Sequence, residues 1–251
     1  MKFRFGQVEI AVTHPTEASA LAEAAERLGQ GRGFALATLN LDHLVKLRRD
    51  ARFLRAYAAQ DMVVADGNPI VWLSRLSKHP VALVPGSDLV VPLAKLAAAQ
   101  DRPLAMVGSH DAALSGAAAY LTAQVPGLRI GDCIAPAFGF DPEGPDARDI
   151  LAKLALLGPC ICLLALGAPK QERIAALGRE LAPEVGFASI GAGVDFLSGH
   201  QRRAPQWMRR LTLEWVWRIA QQPARLLPRY AACMAILPGQ VAQALRQRRG
   251  R

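Results

Sequence analysis

Short apolar runs recur through the chain, most of them ending in a glycine or a small polar residue and followed by a stretch with helical spacing. The runs are Phe34 to Asn40, Met62 to Asp66, Leu104 to Gly108, Leu128 to Ala135, Cys160 to Gly167 and Val185 to Gly193. Strands that read as continuous apolar runs, without polar alternation, are buried on both faces. The helical stretches between them are the crossovers that parallel strands require. This pattern predicts an α/β fold with a mainly parallel sheet and helices on both faces. Helices are expected from Pro15 to about Leu28, from Asp42 to Ala59, after Pro69 and Ser87, from Asp111 as cap, from Asp146 to Leu157, and from Pro169. Two short strands around Gly6 precede them, within Phe3 to Thr13. No internal repeat interrupts the alternation.

The alternation stops after Gly199, and the chemistry of the chain changes with it. Residues 1–199 carry 19 basic and 20 acidic side chains, whereas residues 200–251 carry 11 basic and one acidic. Nearly all of the formal +9 charge therefore sits in the C-terminal fifth. Three of the four tryptophans lie there too: Trp207, Trp215 and Trp217. Trp207, Leu211, Trp215 and Ile219 recur at helical spacing and would line one face. Pro223 is expected to end that helix, Pro228 and Pro238 to interrupt the stretch beyond it, and the last residues to fray. The division predicted is an α/β core, 1–199, and a basic helical C-terminal appendage, 200–251. Arginines interleaved with aromatics suit a polyanionic surface, either nucleic acid or anionic lipid.

With 51% hydrophobic residues, the 251-residue chain can build a full α/β core. No apolar run reaches the roughly 18 residues that would span a bilayer. The start, Met1-Lys2-Phe3-Arg4-Phe5-Gly6, lacks the apolar centre of a signal peptide, so a cytoplasmic protein is expected. Cys133, Cys160, Cys162 and Cys233 form no CxxC pair and are expected as reduced structural thiols.

In open parallel sheets ligands bind beyond the carboxyl ends of the strands. Thr38, Asn40, Asp66, Gly108, Gly167 and Gly193 fall at or just past those ends. Asp66-Gly67 presents a carboxylate with an open approach, suited to act as general base toward a sugar hydroxyl. The same pair is also a common turn. Gly167-Ala168-Pro169-Lys170-Gln171-Glu172 carries more information. A strand, a glycine and a proline-opened helix bring backbone N–H groups and the positive helix end to the sheet edge, as a phosphate site needs. Lys170 adds charge and Gln171 an amide, although an ordinary strand–helix turn would look alike. Val107-Gly108-Ser109 repeats the design more weakly. The chain has no Asp-x-Asp for a metal–diphosphate complex and no P-loop. Gly191-Ala192-Gly193 lacks the third glycine of a dinucleotide fingerprint.

One family shares these pieces in order and spacing. They are Thr38-x-Asn40, Ala65-Asp66-Gly67, Pro85-Gly86-Ser87-Asp88-Leu89, Val107-Gly108, Gly167-x-Pro169-Lys170-Gln171-Glu172 and Gly191-x-Gly193-x-Asp195-Phe196. Arg203-Ala204-Pro205-x-Trp207, Leu213-Glu214-Trp215-x-x-Arg218 and Pro223-x-Arg225-Leu226-x-x-Arg229-Tyr230 complete the set. Over about residues 3–230 the chain resembles the WecG/TagA/CpsF glycosyltransferases, glycosyltransferase family 26. The resemblance implies a Rossmann-like core and an inverting transferase that needs no metal or other cofactor. It implies a UDP-sugar donor, an undecaprenyl-diphosphate-linked saccharide acceptor, and a place at the inner face of the cytoplasmic membrane. The family's base falls on Asp66, and its substrate-site Thr, Asn and Gln fall on Thr38, Asn40 and Gln171. Its C-terminal arginines fall on the tail, where Arg203, Arg218, Arg225 and Arg229 are the candidates.

This chain departs from the family pattern in places. The arginine usual three residues before the Gly-x-Asp-Leu glycine is Leu83 here, so Arg75 or a tail arginine is the candidate replacement. Thr212 stands for a glycine, and Pro228 for a basic residue. Asp66-Gly67-Asn68-Pro69-Ile70-Val71-Trp72 lies nearest the exopolysaccharide branch, where the donor can be UDP-glucose. Two other classes compete: a nucleic-acid-binding protein using the Arg/Trp tail, and a nicotinamide-dependent oxidoreductase. The first leaves Asp66 and the Pro169–Glu172 turn unexplained, and the missing glycine speaks against the second.

Overall fold

The computed structural model describes residues 1–197, 199, 205, 208 and 214–249, with the side chains of Glu214, Arg218 and Arg225 left out. Two short strands, β1 (Lys2–Phe5) and β2 (Val8–Ala11), form an antiparallel hairpin that turns at Gly6. Six further strands form one parallel sheet: β3 (Phe34–Leu39), β4 (Met62–Ala65), β5 (Leu104–Gly108), β6 (Ile130–Ile134), β7 (Ile161–Ala165) and β8 (Gly186–Ser189). Their order is β4-β3-β8-β7-β5-β6. Every pair in it is parallel.

All residues of β3, β4, β5 and β8 are buried, as the unbroken apolar runs require. One face packs on α1 (Glu17–Gly29), α5 (Gly86–Ala99) and α6 (Asp111–Gln124), with Leu36, Val64, Met106 and Leu163 facing their Ala24, Leu93 and Ala117. The other face packs on α7 (Pro145–Ala155) and α8 (Lys170–Leu181) through Ala35, Val107, Cys162 and Phe187. At the β3–β4 end of the sheet, α2 (Leu41–Leu47), α3 (Ala51–Ala58), α4 (Asn68–Leu76) and the β1–β2 hairpin close over Ala37, Leu39, Val63 and Ala65. The fold is Rossmann-like, with helices on both faces. The short helix α9 (Gly193–Leu197) follows β8.

Three sequence expectations change. The single helix expected from Asp42 to Ala59 is two helices. Asp50 caps the second, its carboxylate accepting the Arg52 and Phe53 N–H groups at 2.9 and 3.0 Å. The last strand stops at Ser189 rather than Gly193, and α9 takes over its end.

The third change concerns the tail. Pro223 does separate α10 (Glu214–Gln221) from α11, but α11 (Pro223–Arg249) runs on through Pro228 and Pro238. The carbonyls those prolines leave without an N–H partner lie four residues back, at Ala224 and Met234. Both residues are exposed, where water can meet a stranded carbonyl, and the helix continues. Helix α11 packs on α2 and α4. It buries Cys233 and Ala244 in the same cluster as Phe3, Leu44 and Ile70. The Gln247 amide reaches the Lys2 backbone of β1. Trp215 of α10 leans on Tyr230 of α11, ring centroids 5.9 Å apart. The tail residues Arg203, Trp207 and Leu211 lie outside the described residues, so of the expected apolar stripe only Trp215 and Ile219 can be placed. No helix among the described residues is long and apolar enough to cross a membrane.

Candidate active site

The carboxyl edge of the sheet gathers most of the residues singled out from the sequence. Asp66 directly follows β4, and its backbone N–H donates to the Leu39 carbonyl at 2.8 Å. Asn40 directly follows β3 and caps α2: its Oδ1 accepts the His43 N–H at 3.0 Å. The cap fixes the orientation of the amide. With the oxygen committed to the helix, Nδ2 is turned toward the Asp66 carboxylate, 3.4 Å from Oδ2. Gly67, with φ of 97°, then starts α4 in a conformation that favours glycine. Thr38 is buried, and its hydroxyl faces the Ser189 carbonyl of β8 at 3.5 Å.

The turn after β7 supplies the next group. Gly167 has φ of 70°, and a cis Ala168–Pro169 peptide precedes α8. Lys170 lies beside a cleft of about 390 Å³ between the ends of β5 and β7. Ser109, Ala165, Leu166 and the 136–140 segment after β6 complete its lining. Phe138 is fully exposed at the rim. Gly108 lets β5 and β7 approach closely beside it, because a Cβ there would sit 2.4 Å from the Ala165 backbone. Gln171 points inward rather than into the cleft and is 2% exposed. Its Oε1 accepts the Gly191 N–H at 3.1 Å, and its Nε2 donates to Glu172 Oε1 at 2.9 Å. It therefore ties the turn after β7 to the turn after β8.

Under the edge lies a polar and aromatic layer that the sequence reading did not single out. The His43 ring packs edge-on against Phe53 and Tyr57, and its Nδ1 is 3.4 Å from the Tyr57 hydroxyl. Burial, with Lys46 beside it, lowers the His43 pKa to about 3, so the ring is neutral. Burial and the carboxylates of Glu172 and Asp66 hold the Tyr57 phenol well above its ordinary range. The Lys46 ammonium donates to the Ala168 carbonyl at 3.0 Å and pairs with Asp42 Oδ2 at 2.9 Å. Arg229 of α11 pairs with that same oxygen at 2.9 Å. Burial pushes the Asp42 carboxyl up, but Arg229 and Lys46 outweigh it and keep the group below the usual range.

Sequence pattern alone also missed the bond from the Ser109 hydroxyl to Asp195, which joins the end of β5 to α9. Ser109 holds φ of 51°, an uncommon conformation for a residue with a side chain. Two signals were available in the sequence: Ser109 follows Val107-Gly108, and Asp195 closes the Gly191-x-Gly193 block. Of the four tail arginines, only the Arg229 side chain is described. Arg203 lies outside the described residues, as do the side chains of Arg218 and Arg225. Leu83 is 42% exposed, and Arg75 is exposed on the last turn of α4. Among the described residues no three His, Cys, Asp or Glu side chains are placed to hold a metal ion.

A carboxylate, an oriented amide and a helix-terminal lysine thus stand along the carboxyl edge of a parallel sheet, where open α/β folds bind their ligands. The chain belongs to the WecG/TagA/CpsF family of glycosyl transferases, whose family model matches residues 5–251. Among its curated relatives is the N-acetylglucosaminyldiphosphoundecaprenol N-acetyl-beta-D-mannosaminyltransferase of Bacillus subtilis (strain 168). The two are 26% identical over 211 residues, 81% of this chain and 80% of the relative. The enzyme of the same name from Bacillus spizizenii is also 26% identical, over 79% of this chain and 75% of its own.

Proposed function

We propose that the chain moves a hexose or N-acetylhexosamine-type sugar from a UDP-sugar to a polyprenyl-diphosphate-linked saccharide, in bacterial surface or exopolysaccharide synthesis. The observation that carries this reading is the Asp66 carboxylate at the end of β4, faced by an Asn40 amide whose orientation the α2 cap dictates. An N–H directed at a carboxylate favours its ionised form. Ionised, Asp66 can take the proton of the acceptor hydroxyl as that oxygen attacks the anomeric carbon from the side opposite the leaving diphosphate. That single displacement inverts the anomeric configuration. Both named relatives act, by name, on an N-acetylglucosaminyl-diphosphoundecaprenol acceptor, which supports the lipid-linked class of acceptor here.

The leaving UDP needs compensation for the charge that develops on it. The positive end of the 12-residue helix α8, Lys170 beside the cleft and the backbone around Gly108 and Gly167 can supply it without a metal. Thr38 and Gln171 shape this floor from within. Arg203, Arg218, Arg225 and Arg229 are the tail groups suited to a diphosphate or a lipid headgroup. In the structure one nitrogen of the Arg229 guanidinium is paired with Asp42 Oδ2 at 2.9 Å.

We place the enzyme on the inner face of the cytoplasmic membrane, with 1–199 as catalytic core and 200–251 as the membrane-facing appendage. The tail's excess of basic residues attracts anionic lipid. Trp215, Leu227 and Met234 are large apolar side chains exposed on α10 and α11. Because α11 also covers the core through Cys233 and Ala244, its membrane role is best tested in the whole chain.

The test is incubation of the full-length protein with detergent-solubilised polyprenyl-diphosphate N-acetylglucosamine, a panel of UDP-sugars and excess EDTA, with products read by mass spectrometry. One UDP-sugar should add one sugar residue to the lipid. No product with any donor, or product only after magnesium or manganese is restored, would overturn the reading.

A further inference from the structure

The transfer reaction leaves one buried acid unused. The Glu172 side chain is fully buried. Its Oε1 accepts the Gln171 Nε2 hydrogen at 2.9 Å, and its Oε2 has no hydrogen-bond partner among the described residues. Its backbone is anchored, because Gln60 Nε2 donates both to the Glu172 carbonyl at 3.0 Å and to the Ala56 carbonyl at 2.8 Å.

The charged and titratable groups around it come from every neighbouring element. Tyr57 on α3 feels both Glu172 and Asp66, so it lies near each of the two carboxyls. From α2, His43 is neutral and Lys46 is the cation whose charge acts on Glu172. Lys46, however, is engaged by Asp42 and the Ala168 carbonyl, and Asp42 is shared with Arg229 of α11. No ion pair reaches Glu172 among the described residues. A fully buried carboxylate without a paired cation is far costlier than a buried acid, so the group keeps its proton.

We propose that Glu172 is a positioning residue that works as the neutral acid. It fixes the Gln171 amide, which holds the Gly191 N–H, so the turns after β7 and β8 keep one geometry while Asp66 serves as the ionised carboxylate. The idea rests on Asp66 being the base of the transfer. Burial, offset in part by the Gln171 hydrogen bond, the residue's own backbone N–H and Lys46, leaves the Glu172 carboxyl raised to about 7, in keeping with the geometry. Ionisation would place a second negative charge in the layer shared with Tyr57 and Asp66. It would draw Lys46, the cation whose charge acts on Glu172, away from the Ala168 carbonyl and so loosen the turn that carries Lys170 and Gln171. Activity then falls on the alkaline side.

The experiment pairs kinetics with spectroscopy on the full chain. Glu172→Gln keeps the shape and the amide acceptor but cannot ionise. Its kcat/KM should stay within about threefold of wild type near pH 6, and the alkaline fall of the wild-type profile should flatten. A residue with a merely structural role would not move that limb. Infrared spectra of the wild type should show a protonated-carboxyl band that titrates near neutrality and vanishes in Glu172→Gln. If the variant fails to fold, the wild-type band decides alone. Asp42, the other buried carboxyl described, is held ionised by its two cations and does not contribute. Absence of the band at about pH 6, an unchanged alkaline limb in the variant, or a loss at all pH values as deep as that of Asp66→Asn would each overturn the proposal. Full turnover by Asp66→Asn would instead remove the assignment of the base and leave the infrared result standing.

Discussion

The two ends of the six-stranded sheet treat their carboxylates in opposite ways. At the amino end, Asp61 precedes β4 and is saturated. Its Oδ1 accepts from Arg27 Nη1 at 2.9 Å, and its Oδ2 accepts from Arg179 Nε at 2.9 Å and from the Ala35 N–H at 2.8 Å. One side chain thereby fastens α1, α8, β3 and β4 together. At the carboxyl end, Asp66 faces an amide at 3.4 Å, and Glu172 lies buried with one oxygen lacking a partner among the described residues. Asp61 is satisfied as a fold-holding charge, whereas the Glu172 carboxyl, buried with no ion pair among the described residues, is the kind of perturbed acid that clusters at functional sites.

Breaking the comparison at its two ends should give opposite phenotypes. Asp66→Asn is expected to keep its fold and donor affinity while turnover falls by about 10²–10⁴. Thermal melts, donor calorimetry and kcat separate these outcomes, and near-normal turnover would remove Asp66 as base. Asp61→Asn should leave kcat per folded molecule unchanged but lower stability by about 1–3 kcal/mol, read from urea melts. A catalytic loss there would erase the distinction between the two edges.

A pH series on stability sharpens the contrast. Unfolded, Glu172 titrates near the ordinary value of 4.5, while burial raises the folded value to about 7. The folded chain therefore holds this proton more tightly. That contribution to stability is complete below about pH 4.5, is lost as pH rises to about 7, and is constant beyond. Glu172→Gln should match wild type near pH 4.5 and become the more stable chain above pH 7, by up to about 3 kcal/mol. A gap that does not change with pH would show that Glu172 does not titrate in this window. The smallest effect expected is at the tail. Replacing Trp215 and Leu227 by serine should weaken binding to anionic vesicles severalfold with catalysis in detergent retained, and added salt should weaken wild-type binding. Equal sedimentation of variant and wild type would remove the apolar contribution.

Much of this architecture was legible in the sequence because a buried parallel strand leaves a strong trace. Phe34–Leu39 and Leu104–Gly108 are apolar throughout and buried throughout. Asp66, Asn40 and the Pro169 turn were legible because a strand end and a proline-opened helix fix where a residue stands along the chain. What a residue touches is not fixed that way. Gln171 was expected to offer its amide to a substrate, but whether that amide faces the cleft or the Gly191 peptide depends on contacts from the turn after β8, twenty residues away. The His43–Tyr57 layer was hidden inside what read as one helix, because Asp50 serves equally as a surface residue and as a cap.

The appendage shows the reverse case. Cys233, Leu237, Val241 and Ala244 recur at helical spacing, and they pack with the core. Pro228 and Pro238 masked that rhythm, since a proline's effect depends on whether water can reach the carbonyl it strands.

The central claim is that Asp66 deprotonates an acceptor hydroxyl that displaces UDP in one step. One displacement means one inversion, so the anomeric configuration of the product reports on it most directly. In proton NMR of the purified lipid-linked product, the anomeric coupling of the newly added sugar should show the configuration opposite to that of the same sugar in the UDP donor. Retention of the donor configuration would require two displacements or a different departure path, and would contradict the account.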